Sequence, residues 1–333
     1  MPKAVVVGAG IAGLIAARRL QKSNWDVVVL EKSRGFGGRM ATRRVESATF
    51  DHGAQYFTMH SMFFRSLVET LQDEELVKGW CRGFLNTDRQ LIMDGYQRFF
   101  APEGMNSIAK FIARPLHVQR QTLVTGLSQK ESTWQIKAEA SEGSTLFEAD
   151  ALILTAPVPQ SLKLLSAAET ITLSEKQHTQ LKNLKYDPCL TLMAVLDGPS
   201  GLSEPGAIRV EDPMSPVLWI ADNAQKGISK DHAITVHGTP HFSRKHWKLP
   251  REEAGALLWE GAQRYISARC ITQTTHGWRF AQPQNVYEEK SFAVETRLPL
   301  RLAGDCFGDL NNLIEGAALS GLDAAQKILK SFT

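Results

Sequence analysis

Cysteine is scarce in this chain: four in 333 residues, Cys81, Cys189, Cys270 and Cys306, with no Cys-x-x-Cys spacing among them. That argues against a disulfide framework or a thiolate zinc site, and it fits reduced thiols in a cytosol. Long apolar runs are also missing. None approaches the roughly 20 residues that cross a bilayer, and the opening apolar run breaks at Gly8, too soon for a secretory leader. The expected setting is cytoplasmic, with no membrane partner and no metal. Charge of one sign is equally sparse: 38 Lys+Arg against 35 Asp+Glu leave a net +3. No basic stripe appears, so nucleic acid is not an expected partner. What remains, 43% hydrophobic and 22% charged residues, is ordinary for a globular chain. The length suits two domains, or one with a large insertion. Nothing in it sets an oligomeric state.

The most informative stretch is the first, Lys3 to Glu31. Ala4 to Val7 has the length and β-branched content of a buried parallel strand. Gly8, Gly10 and Gly13, with Ala9, Ile11 and Ala12 between them, then turn the chain into a helix over Ile11 to Gln21. Gly8 permits the tight turn, Gly10 lets backbone approach a pyrophosphate, and Gly13 lets helix and strand pack closely. The helix N-terminus offers unpaired amides to the phosphates. A second strand, Asp26 to Leu30, is closed by Glu31, whose carboxylate can accept both hydroxyls of an adenosine ribose. A dinucleotide site follows.

A second glycine-rich stretch, Lys32 to Arg43, leaves the end of that strand on the ligand-binding edge of an α/β sheet. Gly37 and Gly38 allow close approach, and Arg39 or Arg43 can neutralise a diphosphate. Lys32 and Met40 belong to the same loop.

These residues resemble the FAD-binding pattern of the flavin amine oxidase superfamily. The segment Phe50-Asp51-His52-Gly53-Ala54-Gln55-Tyr56-Phe57 resembles that of renalase-like proteins in particular. Ala101 to Lys110, Leu154 to Gln160, His276 to Phe280, Gly304-Asp305 and Glu315-Gly316-Ala317 continue the likeness in order. The resemblance implies an α/β fold: a Rossmann-like FAD-binding domain, with parallel sheet and β-meander, interleaved with an α+β substrate domain. Residues 1–57, 100–159 and 277–333 would form the first, and 58–99 and 160–276 the second. The cofactor implied is non-covalent FAD, touched by Gly53, Ala54, Gln55 and Val124 besides the two glycine stretches. Asp305 would hold a ribityl hydroxyl.

Along the rest of the chain, an amphipathic helix is expected within Met59 to Leu76 and another over Ser107 to Ala113. Alternation from Thr122 onward reads as a meander, Ala151 to Thr155 as a buried strand, and Glu252 to Ile266 as a helix. The final helix, Asn312 to Leu329, is expected to bury Ile314, Ala318, Leu322, Ala325 and Leu329, with Asn312 and Glu315 as an N-cap and N3 pair. Gly316 and Ala317 would lay its positive end against the flavin's pyrimidine edge.

No second Gly-x-Gly-x-x-Gly is present, so no separate NADPH domain is expected and the reductant must enter the substrate cleft. The renalase resemblance implies oxidation of 2- or 6-dihydro isomers of NAD(P), with O2 as acceptor and H2O2 as product. Candidates for the substrate pocket are Gln55, Tyr56, Trp219, His237 and Trp278. No acid/base pair stands out, as befits a hydride transfer that removes no proton. The alternatives are an amine oxidase proper, a single-component aromatic hydroxylase, and a nucleotide-binding module without redox work.

Overall fold

The structure is a computed structural model and describes residues 1–168, 170–310 and 313–332. It divides by packing into two compact units: 1–38, 109–185 and 283–333 form the first, and 39–108 and 186–282 the second.

The first unit is built on a six-stranded sheet, in the order Phe292–Ala293, Leu300–Leu302, Ala151–Leu154, Lys3–Val7, Asp26–Glu31, His117–Arg120. All its pairings are parallel except that of Phe292–Ala293. The expected Rossmann-like α/β arrangement is therefore present. Val5, Val6, Val29, Leu152 and Ile153 are buried, as the unbroken apolar runs of a doubly covered parallel strand require. Leu123–Lys130, Thr133–Ala140 and Gly143–Ala149 form the antiparallel meander. It buries Trp134, whose indole N–H donates to Pro299 O at 3.2 Å. Helix Ile11–Gln21 occupies its expected span.

Packing keeps 160–185 with this unit. Pro157 is the N-cap of helix Val158–Ser166, and Gln177 of helix Glu175–Asn183 donates to Ala293 O at 2.9 Å. Residues 39–57 and 100–108 pack with the second unit, in which Met105 N donates to Asp51 Oδ1 at 2.9 Å.

The second unit carries a seven-stranded sheet, in the order Cys270–Pro283, Tyr186–Leu196, Ala233–Gly238, Val217–Asp222, Ala207–Arg209, Gly83–Leu85, Leu91–Met93. Period-two alternation sorts its faces. Leu190, Leu192, Ile220, Ile234 and Val236 pack with Phe242 of helix Pro240–His246 and Leu258 of helix Arg251–Gln263. Thr191, Met193, Trp219, Ala221, Thr235 and His237 fall on the opposite face, which is where the polar and aromatic candidates gather. The edge strand Leu91–Met93 is exposed throughout. Among the described residues no helix is long and apolar enough to cross a membrane.

Candidate functional site

In the first unit, strand Lys3–Val7 ends at Gly8, whose φ of +110° lies where side-chain-bearing residues are strained. A Cβ on Gly13 would lie 2.0 Å from Gly8 O, so the helix leaves the turn at this angle only with glycine there. Gly10 differs, since nothing lies within 4 Å of where its Cβ would be. It is the helix N-cap, and no side chain caps the first turn. The amides of Ile11, Ala12 and Gly13 are thus left without intrahelical partners at an open helix end, the arrangement that holds a pyrophosphate.

Ala9 is used internally: its N–H donates to Glu31 Oε2 at 2.8 Å and its carbonyl accepts from Gly37 N at 2.9 Å. Glu31 is buried, and its Oε1 accepts from Ser33 N at 2.7 Å. A carboxylate has about four acceptor positions, which leaves capacity for ribose hydroxyls. Gly37 bridges to Gly10, and a Cβ on Gly38 would lie 3.7 Å from Gly10 Cα. The two glycine stretches therefore meet. Lys32 is exposed beside them. Val124 is buried at a strand irregularity before Gly126.

The tail of the chain reaches the same unit. Gly304 N donates to Ser320 Oγ at 2.9 Å, and Asp305 and Glu315 are buried. Helix Ile314–Lys330 has Leu313 as its N-cap and no side-chain cap. Asn312, the expected cap, lies outside the described residues, and Glu315 is the second residue of the helix. A Cβ on Gly316 would lie 1.7 Å from Leu310 O, and one on Gly321 would lie 2.0 Å from Ala12 O. The buried side of this helix includes Ala317, Gly321, Ala324 and Ile328 together with Ala318 and Ala325, which are buried as expected; Ile314, Leu322 and Leu329 are only half-buried. Close approach to the first helix selects small residues over large apolar ones. An open glycine, an uncapped helix end and a buried carboxylate with acceptor capacity left, Glu31, all fit FAD, with Ala317 buried one turn into the second uncapped helix.

In the second unit, Arg39 Nη1 donates to Phe280 O and Ala281 O, both at 3.3 Å, and the guanidinium lies 5.7 Å from the Tyr186 ring centre. Met40 is buried. Ala54 N donates to Arg39 O at 2.8 Å, and a Cβ on Gly53 would lie 2.0 Å from that same oxygen. Gln55 is buried, its Nε2 donates to Asp51 O, and its Oε1 has no partner. Asp51 itself is held through both carboxylate oxygens. Its Oδ1 accepts from Thr42 Oγ1 at 2.7 Å and from Met105 N at 2.9 Å, and Lys226 Nζ meets its Oδ2 at 3.0 Å with both side chains fully buried. Lys226 also donates to Gln55 O and sits 5.1 Å over the Trp80 ring. Burial pulls its pKa down against the raising effect of Asp51.

Tyr56, Trp80, Phe84 and Trp219 form an aromatic cluster with ring separations from 4.6 to 6.4 Å. Arg98 lies 4.9 Å over Phe84 and 5.9 Å over Tyr56. Nearby in sequence to Gly53, His52 stacks on Trp278 at 5.2 Å and meets His276 edge-on at 5.0 Å. Trp278 Nε1 donates to His52 O at 2.8 Å. Burial, with help from His276 and Arg43, lowers the His52 pKa to about 3. Burial lowers that of His237 to about 4, against the raising effect of the His52 backbone. Both imidazoles are neutral at physiological pH.

Sequence reasoning passed over Lys226 and gave Asp51, His52 and His276 no role. The first has no local signal: its partner is 175 residues away. His52 and Asp51 do carry a local signal, since both fall within the Phe50 to Phe57 segment.

Residues 6–70 match the NAD(P)-binding Rossmann-like domain, and residues 80–329 match the flavin containing amine oxidoreductases. The zeta-carotene-forming phytoene desaturase of Myxococcus xanthus is 42% identical over 72 residues, 21% of this chain and 14% of that protein. The 1-hydroxycarotenoid 3,4-desaturase of Flavobacterium sp. is 26% identical over 216 residues, 63% of this chain and 42% of the relative. The chain thus spans less than half the length of these curated relatives. Among solved structures, a protein assigned as a protoporphyrinogen oxidase from Exiguobacterium sp. 255-15 has a TM-score of 0.72 at 14% identity, over 99% of this chain and 98% of its own. Wild-type putrescine oxidase bound to putrescine has 0.72 at 15%, over 99% of both chains. At such identities the likeness speaks for the fold. The family match covers most of the chain: this protein belongs to the flavin containing amine oxidoreductases, and its cofactor is FAD.

Proposed function

We propose that the protein is an oxidase of isomeric dihydronicotinamides, converting the 2- or 6-dihydro form of NAD(P) and O2 to NAD(P)+ and H2O2. FAD, when bound, supplies the hydride acceptor and the route by which the electrons reach O2. The residues of the two glycine stretches, Glu31, Gly304-Asp305 and Glu315 to Ala317 hold it. We assign segments 1–57, 100–159 and 277–333 to cofactor binding and 58–99 and 160–276 to the substrate.

One observation carries this reading: three of the four rings of the aromatic cluster, Tyr56, Phe84 and Trp80, already carry the protein's own Arg98 or Lys226. An aromatic cage attracts an alkylammonium when its faces are vacant, so this cluster is poorly suited to an amine. The buried carboxylate nearby, Asp51, is equally committed to Lys226. An uncharged dihydropyridine needs no counter-ion; against the pyridinium it becomes, His52 and His237 are neutral, and Arg98 and Lys226 are each paired with a carboxylate, Asp94 and Asp51. The protein's work is then to orient the ring and exclude water. The family match supports a second reading, an amine oxidase proper.

Anaerobic mixing of the holoenzyme with 2-, 4- and 6-dihydronicotinamide dinucleotides and with a panel of amines separates the two. Rapid bleaching of the long-wavelength flavin absorption by the 2- or 6-dihydro isomers is expected; bleaching by amines alone would sink the proposal.

A further inference from the structure

Two buried polar groups on the second unit's sheet have no partner, and the strand register sets them side by side. Trp219 and His237 are directly paired residues on antiparallel strands Val217–Asp222 and Ala233–Gly238, so their side chains leave the sheet on one face as neighbours. Trp219 is 6% exposed, yet its Nε1–H meets no acceptor; the Nε2 of His237 is buried and likewise unpartnered. A buried donor or acceptor left unmade costs stability, and such a group points to something that binds there. The Trp219 ring is held in place by Phe84 at 4.6 Å and Tyr56 at 5.9 Å. Small side chains, Ala207 and Ala221, share its side of the sheet.

The chemistry of the pair is directional. An indole nitrogen can only donate, whereas a neutral imidazole keeps one nitrogen as an acceptor. A ligand that satisfies both must present an acceptor and an N–H donor side by side on a small flat group. We propose that Trp219 Nε1–H and His237 Nε2 form the recognition site for a primary carboxamide attached to an aromatic ring, the indole donating to the amide oxygen and the imidazole accepting from the amide nitrogen. The ligand's identity as a nicotinamide rests on the function proposed above. The pairing goes further, because it assigns each residue an atom and a direction. The low basicity of His237 keeps that acceptor available across the physiological range. Gln55 Oε1 and His52 Nδ1, two further unpartnered buried atoms of the unit, are not needed for it.

The test is binding, so it requires no turnover. Nicotinamide and 3-acetylpyridine share ring and carbonyl, but only the first has the N–H donor. Each is titrated into holoenzyme by flavin difference spectroscopy, with equilibrium dialysis as the second measure. Wild type should prefer nicotinamide about tenfold, the size of one buried hydrogen bond. His237→Asn keeps a polar group at the near ring nitrogen but cannot reach with an acceptor to Nε2, and it should erase the preference. His237→Gln, whose carbonyl reaches that place, should retain it. Trp219→Phe should weaken both ligands about equally, by about tenfold. Flavin content and circular dichroism identify any variant that fails to fold, and the Gln variant then carries the comparison with wild type.

The proposal is overturned if His237→Asn leaves the preference intact, if Trp219→Phe changes neither ligand, or if wild type binds neither or both alike, as a site filled only by water would. If the preference follows this pattern while no dihydronicotinamide reduces the flavin, the oxidase reading fails and the carboxamide site stands.

Discussion

The buried pair Lys226–Asp51 shows how much a single contact fixes in the second unit. Two charges without solvent are tolerated because Asp51 also accepts from Thr42 and Met105 and Lys226 donates to Gln55 O. Removing one partner strands the other. Lys226→Met and Asp51→Asn are each expected to cost about 3–5 kcal/mol in urea unfolding of the holoprotein, while the double variant Lys226→Met/Asp51→Asn should cost less than their sum. Additive losses would show that the pair is not coupled. The histidines give a pH dependence. Their folded pKa values, about 3 for His52 and about 4 for His237, lie below the unfolded value near 6.5, so between these limits the unfolded chain binds more protons. Their contribution is present above the unfolded value and is lost as pH falls toward about 4 for His237 and about 3 for His52. Stability should drop by about 2 kcal/mol per histidine between pH 7 and 5, and His237→Asn should flatten the slope. The rate of flavin reduction should show no titration from either residue between pH 6 and 8. It should also fall less than tenfold in His237→Asn at saturating substrate; a loss of about 10³-fold would mark a general base and contradict the hydride mechanism.

Among the elements, the glycine turn separates two kinds of glycine that look alike in sequence. Gly13→Ala puts a methyl 2.0 Å from Gly8 O and should yield little folded protein. Gly10→Ala meets nothing in the protein, so it should fold normally yet lose FAD, read as a lower flavin-to-protein absorbance ratio with an unchanged far-ultraviolet spectrum. This turn was legible because its constraints are local: strand, turn, helix and acid follow one another within Lys3 to Glu31. The final helix was legible in position and in the burial of Ala318 and Ala325, but its large residues Ile314, Leu322 and Leu329 are only half-buried. Hydrophobicity favoured Leu322 and Leu329 for the core, whereas the contact with Ala12 admits only a glycine, Gly321, and turns the helix accordingly. Helices Val158–Ser166, Glu175–Asn183 and Pro240–His246 escaped notice because each is short and the first and last open on proline, which in sequence also signals an exit from a strand. The pairing of Trp219 with His237 depends on strand register, which no local pattern reveals.

At the scale of the whole molecule, the chain passes between the two packing units at residues 38, 108, 185 and 282, so neither unit is a continuous stretch. FAD, which binds the folded form, should stabilise it by mass action, by about 2.7 kcal/mol at a free concentration a hundredfold above its Kd, and so raise the midpoint of thermal unfolding; a midpoint indifferent to added FAD would show that the native turn does not hold it. The interleaving also bears on biosynthesis. Strand Leu300–Leu302 completes the pairing of Ala151–Leu154, and helix Ile314–Lys330 presses Gly321 onto Ala12. A nascent chain must therefore keep its first glycine turn incomplete until residues 300 to 321 have emerged from the ribosome. Ribosome-arrested chains ending before residue 300 are accordingly expected to stay colourless, and flavin loading becomes a late event in the life of each polypeptide.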